Sequence, residues 1–274
     1  MINDYEIPTG CHLYFGASAA RKREIENRCV SVLNNEGFDE IVTPIFSYHQ
    51  TLKDPKKIIS LSDVDNHKLS LRADSAQDVT RLISKRLGRS TEHKKWFYIQ
   101  PVLTYPSTET NQIGAEWIGN GDISDCANIT TTLLDNLDQR YTIQLGNINI
   151  PALVAKEANI ALTYIEKHNI EVLSSRNIPW LNALIEVSSP FDLPKLFDIV
   201  PASIAIELKK LHEIAGKIDY KNIVVTPLYH ASLEYYDDLF FRFISGNSQL
   251  AMGGSYATEE GRACGFALYT DTLI

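Results

Sequence analysis

The chain has 274 residues, 44% of them hydrophobic, enough to bury a substantial core in one large domain or in one domain with a small insertion. Its 26 Lys and Arg stand against 34 Asp and Glu, and the resulting net charge of -8 opposes any broad electrostatic grip on nucleic-acid phosphates. No apolar run reaches the roughly 18 residues that cross a bilayer, which excludes a transmembrane role.

Apolar residues Ile25, Cys29, Val32 and Leu33 recur at helical spacing, which predicts a helix from Ala17 to Glu36 stopped by Gly37. Glu40-Ile41-Val42-Thr43-Pro44 then reads as a short strand that ends or lies at an edge at Pro44, because proline cannot donate to a ladder. His67 to Arg72 alternates polar and apolar as a strand does, and Asp74 or Ser75 caps a helix carrying Val79, Leu82 and Ile83. Trp96 to Leu103 and Gln112 to Gly119 are two more strands, with Thr104 to Asn111 a loop by composition.

From residue 124 to 226 the pattern changes to helices with short strands, read as a helical insertion. Pro151 starts one helix running to about His168, and Pro201 another running to Ile214. Strands return at Asp238 to Ser245 and Ser248 to Met252, joined through Gly246-Asn247, and at Ala263 to Tyr269 after a polar Thr258 to Arg262 loop. Runs of this kind predict an α+β protein whose sheet is mostly antiparallel and flanked by helices.

Several strings in this order carry chemistry: Gly37-Phe38-Asp39-Glu40-Ile41-Val42-Thr43-Pro44, Leu71-Arg72-Ala73-Asp74 through Arg81, Tyr98 to Pro106, Gln112-Ile113-Gly114-Ala115-Glu116, Tyr235-Tyr236, Gly253-Gly254-Ser255-Tyr256 and Gly265-Phe266. Together they resemble the catalytic core of class II aminoacyl-tRNA synthetases, specifically histidyl-tRNA synthetase and its paralogues, over residues 5–119 and 228–274. The resemblance implies that the first helix and strand build a homodimer interface. It also implies that Asp74 meets the amino group of bound histidine, that Gln112 and Glu116 face the amino-acid pocket, and that Tyr235, Tyr236 and Tyr256 wall it. Four-residue spacing on a strand puts Gln112 and Glu116 on one face. Read without the resemblance, such a pair is an ordinary solvated surface and the tyrosines are core aromatics.

The departures are as informative as the matches. Carboxylate attack on the α-phosphate of ATP depends on fixed cations near the phosphate oxygens. The three arginines that supply them are replaced within Leu103-Thr104-Tyr105-Pro106, at Ala231 and at Thr272, and a fourth has become Ser255. Losing one preorganised donor costs about 10²–10³ in rate, so the chain is expected to have no catalytic residues and to form no adenylate. It ends at Ile274, where a synthetase would continue into an anticodon-binding domain, and no tRNA partner is expected.

Both departures are features of the paralogous family of ATP phosphoribosyltransferase regulatory subunits. Membership there implies a homodimer within a hetero-oligomer, a short-form catalytic subunit as partner, and feedback inhibition by histidine in histidine biosynthesis. Two other readings stay open: a divergent amino-acid-activating ligase that recruits Arg72, Arg81 or Arg242 to phosphate, and a stand-alone histidine-binding module.

Cys11, Cys29, Cys126 and Cys264 lie scattered without CxxC spacing, and the N-terminal residues lack the basic and apolar regions of a signal peptide. A reduced, cytoplasmic protein with no metal and no cofactor is expected. The seven histidines show no HxH, HExxH or carboxylate-paired spacing and read as surface or satisfied side chains. The most basic stretches, Lys53 to Lys57 and Arg86 to Lys95, read as a solvated face.

Overall fold

A computed structural model describes residues 6–52, 54–87, 91–119, 121–230, 236–258 and 261–274. The chain divides into two compact units, one of residues 1–121, 132–139 and 258–274, the other of residues 122–131 and 140–257.

In the first unit, helix α1 (Gly16–Asn35) buries Ile25, Glu26, Cys29 and Leu33 along one stripe. Glu26 tolerates burial because Lys22 and Arg23 both pair with its carboxylate. Gly37 takes φ +80° just beyond the helix, a conformation open to glycine and costly for a residue with a Cβ. Strand β1 (Asp39–Glu40) follows and is shorter than the expected strand to Pro44. Only one further ladder-like bond continues it, from Ile41 N–H to the Phe97 carbonyl at 2.8 Å, before Thr43 turns inward to bond side chains.

Strands β2 (Phe46–Ser47), β3 (Ser60–Ser62) and β4 (Lys68–Leu71) form a small antiparallel sheet in the order β2-β4-β3. Helix α2 (Ser75–Leu82) starts at Asp74, whose carboxylate accepts the Gln77 N–H at 3.2 Å, and it passes into a wider helical turn over Ile83–Leu87. Strand β5 (Lys95–Thr104) pairs antiparallel with β6 (Thr108–Ile118) down to Thr104 opposite Thr108.

The expected loop over Thr104 to Asn111 therefore shrinks to three residues, 105–107. Turn-forming composition is overridden here by tertiary bonds to the outer end of β6: Glu109 N–H donates to the Gly10 carbonyl (2.9 Å) and Asn111 N–H to Asp271 (2.8 Å). The unit's last strand, β11 (Gly261–Tyr269), pairs antiparallel with β6, giving the order β1-β5-β6-β11. Only β1 and β5 are parallel.

Helix α3 (Ile123–Asp135) leads into the second unit, where strands β7 (Thr142–Asn147), β8 (Ile223–Val225), β9 (Leu239–Ser245) and β10 (Ser248–Thr258) take the order β10-β9-β7-β8. Within the 124–226 segment, β7 and β8 are short strands among helices, and β7 pairs antiparallel with β9 and parallel with β8. The β9–β10 hairpin turns at Gly246 with φ +56°, as the Gly-Asn signal predicts. β10 runs six residues past the expected end at Met252, into the segment read as loop at Thr258.

The helix expected from Pro151 to His168 is two helices, α4 (Asn149–Glu157) and α5 (Leu162–Glu166), broken where Asn159 adopts φ +51°. Helices α6 (Ile170–Ser174) and α7 (Pro179–Glu186) follow, and α8 (Ala202–Lys217) starts at Pro201 as expected. No described helix is long and apolar enough to cross a membrane.

Candidate functional site

In the first unit the sheet register places Gln100 opposite Gln112, Tyr98 opposite Gly114, and Glu116 opposite Gly265. Opposed residues share a face, so these side chains all project to one side of β5, β6 and β11. Tyr98 donates its hydroxyl to Glu116 Oε1 at 3.3 Å, and both are buried. Their approach needs glycine beneath each: a Cβ on Gly114 would lie 2.2 Å from the Tyr98 ring, and one on Gly265 would lie 1.9 Å from Glu116 Oε2. The two glycines of the motifs are therefore space for an aromatic ring and a carboxylate.

Gln112 is half-buried, and its side chain bonds nothing among the described residues, so its amide is available to a ligand. Gln100, by contrast, is held by Thr43, which donates its N–H (3.3 Å) and hydroxyl (3.2 Å) to Oε1.

Asp74 sits at the start of α2, which packs on β6. Burial pushes its carboxyl up to about 6, with the nearby Asp78 carboxylate adding to the rise and the N–H groups of Gln77 and Ala76 opposing it. By area Asp74 as a whole is only partly exposed. A cation reaching that carboxylate would relieve its desolvation, which is the chemistry an α-ammonium group supplies.

The turn that carries Asp74 is fixed by Gln50. Its Oε1 accepts the N–H groups of Ala73 (2.8 Å) and Asp74 (2.7 Å), and its Nε2 donates to the Asp74 carbonyl (3.1 Å) and to Asp78 Oδ2 (2.7 Å). Ser47 adds a 2.8 Å bond to Asp78 Oδ1. Sequence reasoning missed Gln50, Thr43, Asp78 and Tyr98. Tyr98 could have been found by counting back from a tight hairpin turn to the residue opposite Gly114. The other three carried no signal, since their partners lie 23 to 57 positions away along the chain.

The second unit holds Tyr236 and Tyr256, both buried. Tyr236 covers Gly254, where an added Cβ would lie 2.7 Å from its ring. Tyr235 and Ala231 lie outside the described residues.

Of the other positions where the family carries arginine, Thr104 ends β5, Tyr105 is exposed at the turn, Ser255 lies in β10, and Thr272 is exposed and donates to the Tyr269 carbonyl at 2.8 Å. The arginines that a ligase reading would recruit are engaged inside their own units. Buried Arg72 donates to the carbonyls of Pro101 (2.9 Å), Thr43 (2.9 Å) and Pro44 (3.3 Å), so it is a backbone staple. Arg81 pairs with Asp78 at 3.4 Å. Arg242 donates to Gln249 and Gln144 and stacks over Tyr229 at 4.8 Å.

Replacing Arg72 with Ala should destabilise the protein by on the order of 3 kcal/mol in chemical denaturation, because buried carbonyls lose their donors. Lys should not restore it, since an ammonium cannot span the same fork.

One further expectation changes. His67 is carboxylate-paired after all: its Nδ1 lies 3.1 Å from Asp63 Oδ2, with Asp65 close by, and His93 and His230 lie 3.5 Å from Asp39 and Glu166. Asp63 already accepts the N–H groups of Asp65 and His67 and the Tyr48 hydroxyl, which accounts for the cluster as a turn. Asp271, beside Thr272, gathers the Tyr14 hydroxyl (2.6 Å) and both the N–H and side-chain amide of Asn111 (2.8 Å each).

A mostly antiparallel strand set with helices, closed by a glycine-bearing last strand over a buried glutamate, is the α+β fold of class II aminoacyl-tRNA synthetases. A solved structure described as an ATP phosphoribosyltransferase regulatory subunit/histidyl-tRNA synthetase from Bacillus halodurans shares it, with a TM-score of 0.84 at 17% identity over 98% of this chain and 82% of that one. The histidyl-tRNA synthetase family model matches residues 12–202. A protein of Wolinella succinogenes is 42% identical over 100% of this chain and 96% of its own length, and one of Helicobacter hepaticus is 38% identical over 100% and 98%. Both relatives are named ATP phosphoribosyltransferase regulatory subunit. The chain belongs to that family, within the histidyl-tRNA synthetase-like proteins.

Proposed function

We propose that this chain is the non-catalytic regulatory subunit of an ATP phosphoribosyltransferase, acting in the cytoplasm on a short-form catalytic subunit in histidine biosynthesis. The observation that carries the reading is an asymmetry between the two sides of the inherited site. The amino-acid side keeps Asp74, Gln112 and Glu116, with Glu116 seated over Gly265 and Tyr98. The phosphate side has Thr272 and Ser255 in place of arginine, and Arg72, Arg81 and Arg242 are held by internal partners.

Histidine is the proposed ligand, with its ammonium at Asp74 and its imidazole toward Gln112 and Glu116. By linkage, histidine inhibits if it binds more tightly to the state of the complex in which the catalytic subunit is inactive. No tRNA is part of this reading.

A homodimer is supported by the segment from Ile41 to Leu52, which carries no charged side chain in a chain that is 22% charged. Val42, Ile45, Phe46 and Tyr48 within it are exposed. A two-fold contact brings each patch near its own copy, where a net charge would repel, so a neutral apolar face suits a second copy.

Reconstitution tests the proposal. The short catalytic subunit should gain transferase activity when this chain is added and lose it again with histidine. ATP–pyrophosphate exchange by this chain alone should stay at background with every amino acid. Clear exchange would refute the reading in favour of a ligase, and activation without histidine sensitivity would remove the sensor role alone.

A further inference from the structure

Residues 41–52 form a strap with two chemically distinct faces. Outward, Val42, Ile45, Phe46 and Tyr48 are 77%, 40%, 54% and 58% exposed. Inward, Thr43, Ser47 and Gln50 are 5%, 5% and 8% exposed, and each bonds a group of the candidate ligand site. Thr43 holds Gln100, the residue opposite Gln112, and accepts from Arg72 through its carbonyl. Ser47 donates to Asp78, and Gln50 clamps the backbone on both sides of Asp74.

Regular backbone pairing of the strap is slight. β2 contributes two residues to its sheet, Phe46 opposite Leu71 and Ser47 opposite Ser70. The strap is therefore seated largely by these side-chain bonds, and whatever orders its outer face orders the groups they hold.

We infer that Gln50 is a positioning residue that links the two faces: seating a second copy against the strap and holding an amino-acid ammonium at Asp74 reinforce one another through the Gln50 clamp. The inference rests on the homodimer and ligand readings above. Gln50 suits the task because its amide makes four bonds, two accepted and two donated, so a shift of the strap strains the turn directly.

The test reads amide-exchange protection at Ala73 and Asp74 in the full chain, alongside sedimentation. Gln50→Ala should lower protection at both amides about tenfold while Ile113 in β6 keeps its own. Val42→Asp alters a side chain in solvent and touches neither amide, yet it should separate the copies and lower protection at Ala73 and Asp74 by a similar factor.

Gln50→Glu gives a readout that simple loss of packing would not. Its carboxylate would face Asp78, whereas a protonated carboxyl keeps an oxygen to accept the Ala73 and Asp74 N–H groups and restores one of the two donations, the one to Asp78, so protection should partly recover as pH falls from about 8 to about 5. A dimer that Val42→Asp separates without changing protection at Ala73 and Asp74 overturns the linkage alone, as does unchanged protection in Gln50→Ala. A chain that sediments as a monomer at all concentrations overturns the homodimer reading and the linkage with it. Absence of histidine binding leaves the exchange result standing and refutes only the ligand reading.

Discussion

Asp74→Asn should weaken histidine binding by about 100-fold at pH 7.5, because a hydrogen bond between an ammonium and a carboxylate is worth about 1.5–3 kcal/mol and a neutral amide recovers little of it. Asn caps a helix about as well as Asp, so α2 should still start in place and the variant should fold. The pH dependence sharpens the test. Burial pushes the Asp74 carboxyl up to about 6, and only its ionised form can accept an ammonium, so wild-type affinity should fall about tenfold per pH unit below that point. Histidine's own imidazole titrates in the same range, but it does so equally for both proteins. The wild-type to Asp74→Asn affinity ratio, measured calorimetrically at pH 5, 6 and 7.5, isolates Asp74; a ratio independent of pH would remove it from the site.

The same group has a stability consequence of determined sign. The folded value lies above the ordinary 3.8, so the folded chain binds the extra proton. The stability this confers is fully present below about pH 4 and is lost as pH rises through about 6. Asp74→Asn does not titrate, so its stability relative to wild type should improve between pH 4 and 7. The gain should be about 2 kcal/mol, less than the whole shift because Asp74 is partly exposed.

Gly114→Ala should destabilise the protein by about 3 kcal/mol, the upper range for overpacking, because the new methyl would sit 2.2 Å from the Tyr98 ring. The ring would be forced off Gly114, and with it the hydroxyl that bonds Glu116, so ligand binding should fall together with stability. Gly265→Ala should act on Glu116 itself, since its Cβ would lie 1.9 Å from the carboxylate and 2.9 Å from the Ala115 carbonyl. Pairing Gly114→Ala with Tyr98→Leu separates the two effects. Removing the ring makes room for the methyl, so urea denaturation should return most of the lost stability, while histidine binding should stay impaired. A double mutant as unstable as the sum of its singles would show that the ring is not what Gly114 accommodates.

Much of the fold could be read from local pattern. The first helix was expected within one residue at each end because its apolar residues recur at helical spacing from Ile25 to Leu33 and a glycine follows. The β9–β10 turn followed from Gly-Asn, and α2 from an acidic cap. The elements that escaped are those whose reason lies elsewhere in the chain. β2 and β3 are two and three residues long, too short for a period to register. The outer end of β6 reads as loop, since its strand character comes from Gly10 and Asp271, 99 and 160 positions distant along the sequence from the residues they bond. The break at Asn159 lies within an apolar-periodic run that gives no reason to stop.

The candidate site divides in the same way. Sequence by itself determined which chemistry the chain keeps and which it lacks: Asp74, Gln112 and Glu116 are present, and Thr272 and Ser255 stand where the resemblance implies arginine, because residue identity alone decides whether a carboxylate or a cation is present. Tertiary structure decided what those groups can do. It placed the Tyr98 hydroxyl on Glu116 over two glycines, raised the Asp74 carboxyl by surrounding it with protein, and engaged Arg72 with backbone carbonyls. It also brought Gln50 onto the Asp74 turn from a strap that no motif marked. Hydrogen bonding and desolvation depend on distances between residues far apart in the chain, and those distances are set only when the strands are paired.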